Sequence, residues 1–292
     1  MRGWKKIVWL ILFCMLFSGC ASQTIQERTA ATPLGALQAV FLKIGKADAA
    51  VLVTAHHTVL VDTGEEEDGK EILSYLKKRN INRIDALILT HFDKDHMGGA
   101  EKVMRGISVD AVYQPDYIKD SGAYRNYQTA CEALSLAPRA VTQRETLTMD
   151  QVQIEIFPPE HKYSGQNADS NAMSLVVNVT HGSNRLLLTG DASGKRLSEL
   201  LAEDSLACTL LKVPHHGREE EQTRDFLAAA APTCAVITCS QKNPPDEAVT
   251  QQLKAQGCAA YLTMDGDIAC ISDGSGLRMI QKDKGTYFKS GN

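Results

Sequence analysis

The 292-residue chain has no CxxC pair and no low-complexity tract, and beyond the first twenty residues no apolar run long enough to span a membrane. The first absence removes the spacing that marks paired-cysteine sites. The second makes a disordered or fibrous chain untenable, and 43% apolar with 23% charged residues suits one globular α/β domain. The third leaves the chain without channel-forming membrane helices, so it is not expected to import DNA alone. A basic excess is missing too. Without residues 1–20, which hold three basic and no acidic side chains, 28 basic residues face 35 acidic ones, a net charge of −7. That balance gives no electrostatic reason for tight nucleic-acid binding, although bound metal ions can supply positive charge locally.

The amino terminus stands apart. MRGWKKIVWLILFCMLFSGC has a basic start, an apolar run from Ile7 to Phe17 and small residues before Cys20. This predicts a signal peptide over residues 1–20. Leu16-Phe17-Ser18-Gly19-Cys20 resembles a bacterial lipobox, with Phe17 in place of the usual Leu, which implies lipid attachment at Cys20 and a membrane-anchored lipoprotein. Cleavage nearby, giving a secreted chain, and an uncleaved anchor are the alternatives. All three place the rest of the chain outside the cytoplasm. Residues 21–36, polar and small with Pro33 and Gly35, read as a tether. The domain is expected over 37–285, with a short tail at 286–292. Cys131, Cys208, Cys234, Cys239, Cys258 and Cys270 mostly sit in apolar strand-like runs, which favours buried thiols over disulfides.

From Leu37 the pattern is a meander of short strands (37–44, 50–54, 58–61), then a helix over 69–79 and a continuous apolar strand over 84–90. The second half repeats the theme. Strands are expected over 152–157, 174–179, 185–189, 210–213 and 235–238, with helices over 193–201 and 246–255 and strands near Tyr261 and Ile268. Two packed sheets with helices outside follow, an α/β fold of αββα layering. His181-Gly182-Ser183-Asn184 reads as a hairpin turn. His56, His57, His161 and His181 are read as turn histidines, the last two solvated. The tyrosine-rich segment 113–127 is read as a loop that either walls a substrate or covers the core.

The chemistry concentrates at His91-Phe92-Asp93-Lys94-Asp95-His96, directly after a buried strand and before Gly98-Gly99. Four metal-ligand side chains within six residues exceed anything packing or solvation requires. HxDxDH followed by Gly-Gly resembles the second motif of the metallo-β-lactamase superfamily, in the form typical of the hydrolase domain of ComEC-type competence proteins. AVFLKIGKADAAVL resembles that family's opening segment, VLVDTG its first motif, LLLTGD its fourth and LLKVPHHG its fifth.

The resemblance implies a dinuclear centre holding two divalent ions, Zn2+ or Mn2+. One ion takes His91 and Asp93. The other takes Asp95, His96 and one histidine of the 215–216 pair, with Asp191 shared. His216 is taken as the ligand and His215 as a contact or proton donor, the reverse order remaining open. Asp62 orients the metal loop. Asn171 stands where the third motif usually has a ligand histidine, a loss of nitrogen donors that shifts preference toward manganese. The histidine usual near Asn243-Pro244-Pro245 is missing, and Lys43 and Lys46 replace residues of the opening segment while Asp48 is kept. A metal-dependent phosphodiesterase using a metal-bound hydroxide is expected, with Asp95 and His215 catalytic and DNA among the candidate substrates. An amide or ester hydrolase of β-lactamase type, or a non-catalytic anchored binding protein, are the competing readings.

Overall fold

Along the strand Leu37–Phe41, Leu37, Ala39 and Phe41 enter one apolar cluster and Val40 another. The same alternation runs through Thr58–Val61, where Val59 and Val61 part from Leu60, and through Asn184–Leu188, where Leu186 and Leu188 part from Leu187. Because successive side chains leave a strand on opposite faces, these runs are buried on both sides and require four layers. The computed structural model, which describes residues 35–160, 169–281 and 284–289, shows that layering.

One sheet has nine strands, in the order Lys284–Lys289, Gly276–Gln281, Ile268–Ser272, Leu37–Phe41, Ala50–Val53, Thr58–Val61, Ala86–Ile88, Val112–Pro115 and Arg139–Val141. The other has seven, in the order Ala259–Leu262, Cys234–Ile237, Leu210–Lys212, Asn184–Leu188, Val176–His181, Val152–Phe157 and Glu145–Met149. Facing residues of both sheets make the central core. The helices Asp68–Lys78, Ala100–Gly106 and Gly122–Ala133 cover the outer face of the first sheet, and Lys195–Leu201, Thr223–Ala230 and Glu247–Ala255 cover that of the second. The expected αββα architecture is therefore present.

Thr58–Val61, Ala86–Ile88 and Val112–Pro115 run parallel in one sheet, and Asn184–Leu188, Leu210–Lys212 and Cys234–Ile237 run parallel in the other. Their carboxyl ends open into the loops that bear the candidate residues, as ligand sites of α/β sheets do. The backbone N–H of Leu175 donates to the Thr90 carbonyl (2.8 Å), tying the two halves together at that edge.

Three expectations are corrected. Segment 113–127 is not mainly loop: it holds a strand and the helix Gly122–Ala133, whose N-cap Ser121 accepts from the Tyr124 amide. Tyr124, Tyr127, Ala130 and Cys131 recur at helical spacing and are buried. His181 is not solvated but buried, its Nδ1 2.8 Å from Ser272 Oγ of the other sheet. The final strand runs to Lys289, past the boundary expected at 285. His56 and His57 do lie in a hairpin turn, beside Asp150 and Asp85 respectively. His161, the signal segment, Cys20 and most of the tether lie outside the described residues. Among the described residues no helix is long and apolar enough to cross a membrane.

Candidate metal centre

The 90–96 segment is fixed from below by apolar contacts. Phe92 is buried against Tyr117 and Tyr124, each with ring centroids 4.7 Å away, and the Phe92 amide donates to the Tyr117 hydroxyl at 2.8 Å. The tyrosines thus cover the core and clamp the loop. Close backbone approach does the rest. A Cβ on Gly99 would stand 2.3 Å from the Thr63 carbonyl, so only glycine permits this contact.

With the ends pinned, Asp95, His96, Asp191 and His216 converge, one ligand atom of each lying within 4.8 Å of all the others, and all four residues are buried. Asp191 Oδ1 is 3.1 Å from His96 Nε2, Asp191 Oδ2 is 3.1 Å from His216 Nε2, and Asp95 Oδ2 is 3.6 Å from His216 Nε2. His96 Nε2, His216 Nε2, Asp191 Oδ1 and the nearby His91 Nε2 are buried without a hydrogen-bond partner. Burying such atoms unpaired is costly, and an ion held among them would satisfy all four. Two imidazoles and two carboxylates form a donor set suited to Zn2+ or Mn2+. The residues present therefore fit the metal that the sequence resemblance implies.

Outer partners set the imidazole orientation. Asp62 accepts from the Thr90 amide and hydroxyl (2.7 Å each) and lies 2.8 Å from His96 Nδ1, leaving His96 Nε2 toward the centre. Thr238 Oγ1, 3.0 Å from His216 Nδ1, does the same for His216. His215, His216 and Gly217 all have positive φ (45°, 55° and 76°), a conformation costing the two histidines roughly 1–2 kcal/mol each. Gly217 has no such cost, and a Cβ there would press on Pro245 at 2.8 Å. The Asn243-Pro244-Pro245 segment thus supports the histidine loop by packing.

Charge at the centre is dense. Burial alone would raise the carboxyls of Asp95 and Asp191, but His216, His96 and Lys46 around Asp95, and His96 and His216 around Asp191, outweigh it and hold both well below the ordinary range. Burial opposes charge on His96, yet Asp191, Asp48 and Asp62 hold its pKa well above the usual histidine value. His91 is pushed down to about 3, by burial first and then by the charge of His96, which leaves it a neutral donor.

Three lysines complete the picture, and sequence reading gave none of them a role at the centre. Lys46 Nζ lies 2.6 Å from Asp95 Oδ2. Lys119 bonds Asp93 and lies 3.2 Å from Ser170 Oγ. Lys212, 2% exposed, lies 2.5 Å from Asp48 Oδ2 and donates to the Gly190 carbonyl at 2.9 Å. A charged residue inside the apolar run 210–213 must find a buried partner, and that was the available signal for Lys212. Of the expected residues, Asp93 is part-exposed and stands apart from the convergent four, as does His91, whose Nε2 is 3.9 Å from Asp93 Oδ2. His215 is part-exposed, with Nδ1 bonded to Glu220 and Nε2 4.0 Å from Asp191 Oδ2 and 3.4 Å from Asn171 Nδ2.

The family model for the metallo-beta-lactamase superfamily matches residues 42–240. The chain is similar to ComE operon protein 3 of Bacillus subtilis, with 27% identity over 73% of this chain and 30% of that protein. It is also similar to Competence protein ComA of Neisseria gonorrhoeae, with 27% identity over 88% of this chain and 34% of that protein. It thus spans about a third of the length of these two relatives. Among solved structures, the metallo-beta-lactamase fold protein YhfI of Bacillus subtilis shares the fold at 14% identity and a TM-score of 0.52, covering 81% of this chain and 100% of that one. The resemblance to competence proteins read from the motifs is borne out, and the chain belongs to the metallo-beta-lactamase superfamily.

Proposed function

We propose that this chain is a metal-dependent phosphodiesterase. The observation that carries the reading is the buried convergence of Asp95, His96, Asp191 and His216, flanked by the part-exposed ammonium groups of Lys46 and Lys119. The donors suit a divalent ion. The lysines suit an anionic substrate such as a phosphodiester.

Asp95, His96, Asp191 and His216 would hold the ion, and His91 and Asp93 lie beside them where the resemblance implies a second. When bound, the ion lowers the pKa of a water and neutralises charge developing on the phosphoryl oxygens. Asp95 orients the attacking water. Lys46 faces the phosphoryl group from the opening segment. The Nδ1 contact of His215 with Glu220 orients the ring so that Nε2 faces the centre, where it can contact the reacting phosphoryl group. Asn171 steadies that ring at Nε2. DNA is one candidate diester, and the acidic surface favours substrates engaged at the centre rather than along a basic track.

The chain is further proposed to act outside the cytoplasm, tethered through a lipid on Cys20. Metabolic labelling with a radioactive fatty acid tests this, since Cys20→Ala would lose the label.

The activity is tested with purified protein supplied with Mn2+ or Zn2+, on a chromogenic phosphodiester, on linear single- and double-stranded DNA and on a chromogenic lactam. Diester turnover abolished by Asp95→Asn is the expected result. Lactam turnover without diester turnover would overturn it.

A further inference from the structure

We propose that the ammonium group of Lys119 takes the position of the second cation, so that the chain retains one divalent ion per molecule where a dinuclear centre retains two. The inference rests on the reading above only in requiring that Asp95, His96, Asp191 and His216 hold an ion.

Asp93 is already neutralised by protein groups. One oxygen, Oδ1, receives both the Lys119 ammonium and the Ser170 hydroxyl, the latter at 2.5 Å, and Lys119 and Ser170 also bond each other at 3.2 Å. The three side chains close a triangle on Oδ1, so the carboxylate charge is already matched, while Oδ2 is the oxygen on the His91 side, 3.9 Å from Nε2. Ser170 belongs to the turn that leads into Asn171, so the same turn carries an amide where a ligand histidine would stand and a hydroxyl that holds the lysine. His91 supplies the imidazole nearest Asp93 among the described residues.

The lysine does not reach Asp93 by chance of a loose loop. Tyr117, two residues before it, accepts a hydrogen bond from the amide of Phe92, the residue before Asp93, and packs on the Phe92 ring. The two segments are therefore clamped together at the point where Lys119 meets Asp93. A divalent ion entering beside His91 and drawing on Asp93 would meet a carboxylate already engaged by a hydrogen-bonded ammonium. The ammonium has a third N–H beyond those engaged by Asp93 and Ser170, and its side chain is 30% exposed, so it can face a phosphoryl oxygen. One ion and one lysine then supply two cationic groups to face the phosphoryl oxygens.

The test is metal content, which needs no substrate. The full chain is stripped with a chelator, loaded with excess Mn2+, desalted, and measured by elemental analysis and by electron paramagnetic resonance for spin-coupled Mn2+ pairs. Wild type is expected to retain one equivalent with no coupled signal. Lys119→Arg, which keeps the charge, is expected to behave alike. Lys119→Gln is expected to retain two equivalents with a coupled signal, and His91→Ala on that background to return it to one. Circular dichroism confirms that each variant is folded, and Lys119→Ala provides a second neutral variant. Two equivalents in wild type, or one in both neutral variants, would overturn the inference while leaving the hydrolase reading standing. No retained metal in wild type would overturn both.

Discussion

His96 Nε2 and Asp191 Oδ1 stand 3.1 Å apart, both buried, and neither completes a hydrogen bond. So close an approach without a bond leaves the lone pairs of both for a third party. Asp191→Asn is therefore expected to lower divalent-ion affinity by more than the roughly 10–100-fold typical of outer partners. Asp62→Asn, which acts from behind His96 Nδ1 and Thr90, is expected to fall within that range. Competition against a chelating dye measures both.

Lys212 sits under the centre with its ammonium on Asp48 and its charge wholly enclosed by protein. Lys212→Met would take from the buried Asp48 carboxylate its nearest cation, leaving His96 and His216 at 3.7 and 3.6 Å. The expected loss of stability is about 3–5 kcal/mol by denaturant unfolding. Pairing it with Asp48→Asn is expected to restore a large part of that loss, and a double-mutant cycle measures how much.

The Tyr117 hydroxyl accepts the Phe92 amide and so holds the metal loop from beneath. Tyr117→Phe keeps the ring contact but leaves that amide without its partner, at an expected cost of about 1–3 kcal/mol. Thermal unfolding checks the loss, and metal retention should weaken with it as the loop loosens.

All six described cysteines are free and buried. Burial pushes the thiols of Cys208, Cys258 and Cys270 up to about 12. Thiols with raised pKa stay protonated below that value, and the thiolate is the reactive form. At pH 8 the folded chain should therefore take up no iodoacetamide at these six positions, and the denatured chain should take it up at all six. Peptide mass spectrometry reads the outcome directly.

The layered fold was legible because both sheets are buried on two faces, which writes unbroken apolar runs such as Ala86–Leu89 into the sequence. The carboxylates and histidines of the centre were legible because they end those runs. What stayed hidden depends on contacts across long stretches of chain. Lys119 meets Asp93 from 26 residues away, and nothing in IKDSG marks it. His181 is buried where the other sheet meets it, at Ser272, 91 residues on. The helix Gly122–Ala133 carried a signal that was outweighed by its polar and aromatic residues, namely Ser121 as cap and the spacing of Tyr124, Tyr127 and Cys131.

The central claim, that Asp95, His96, Asp191 and His216 hold a metal required for phosphodiester hydrolysis, is tested most directly by removing that metal. The rate of cleavage of a chromogenic phosphodiester is measured before chelation, after chelation and after return of Mn2+ or Zn2+, for wild type and His216→Ala. The account predicts loss on chelation and recovery on return of the ion in wild type, with no recovery in the variant. Hydrolysis that continues unchanged in the stripped protein, or that His216→Ala leaves intact, would contradict it.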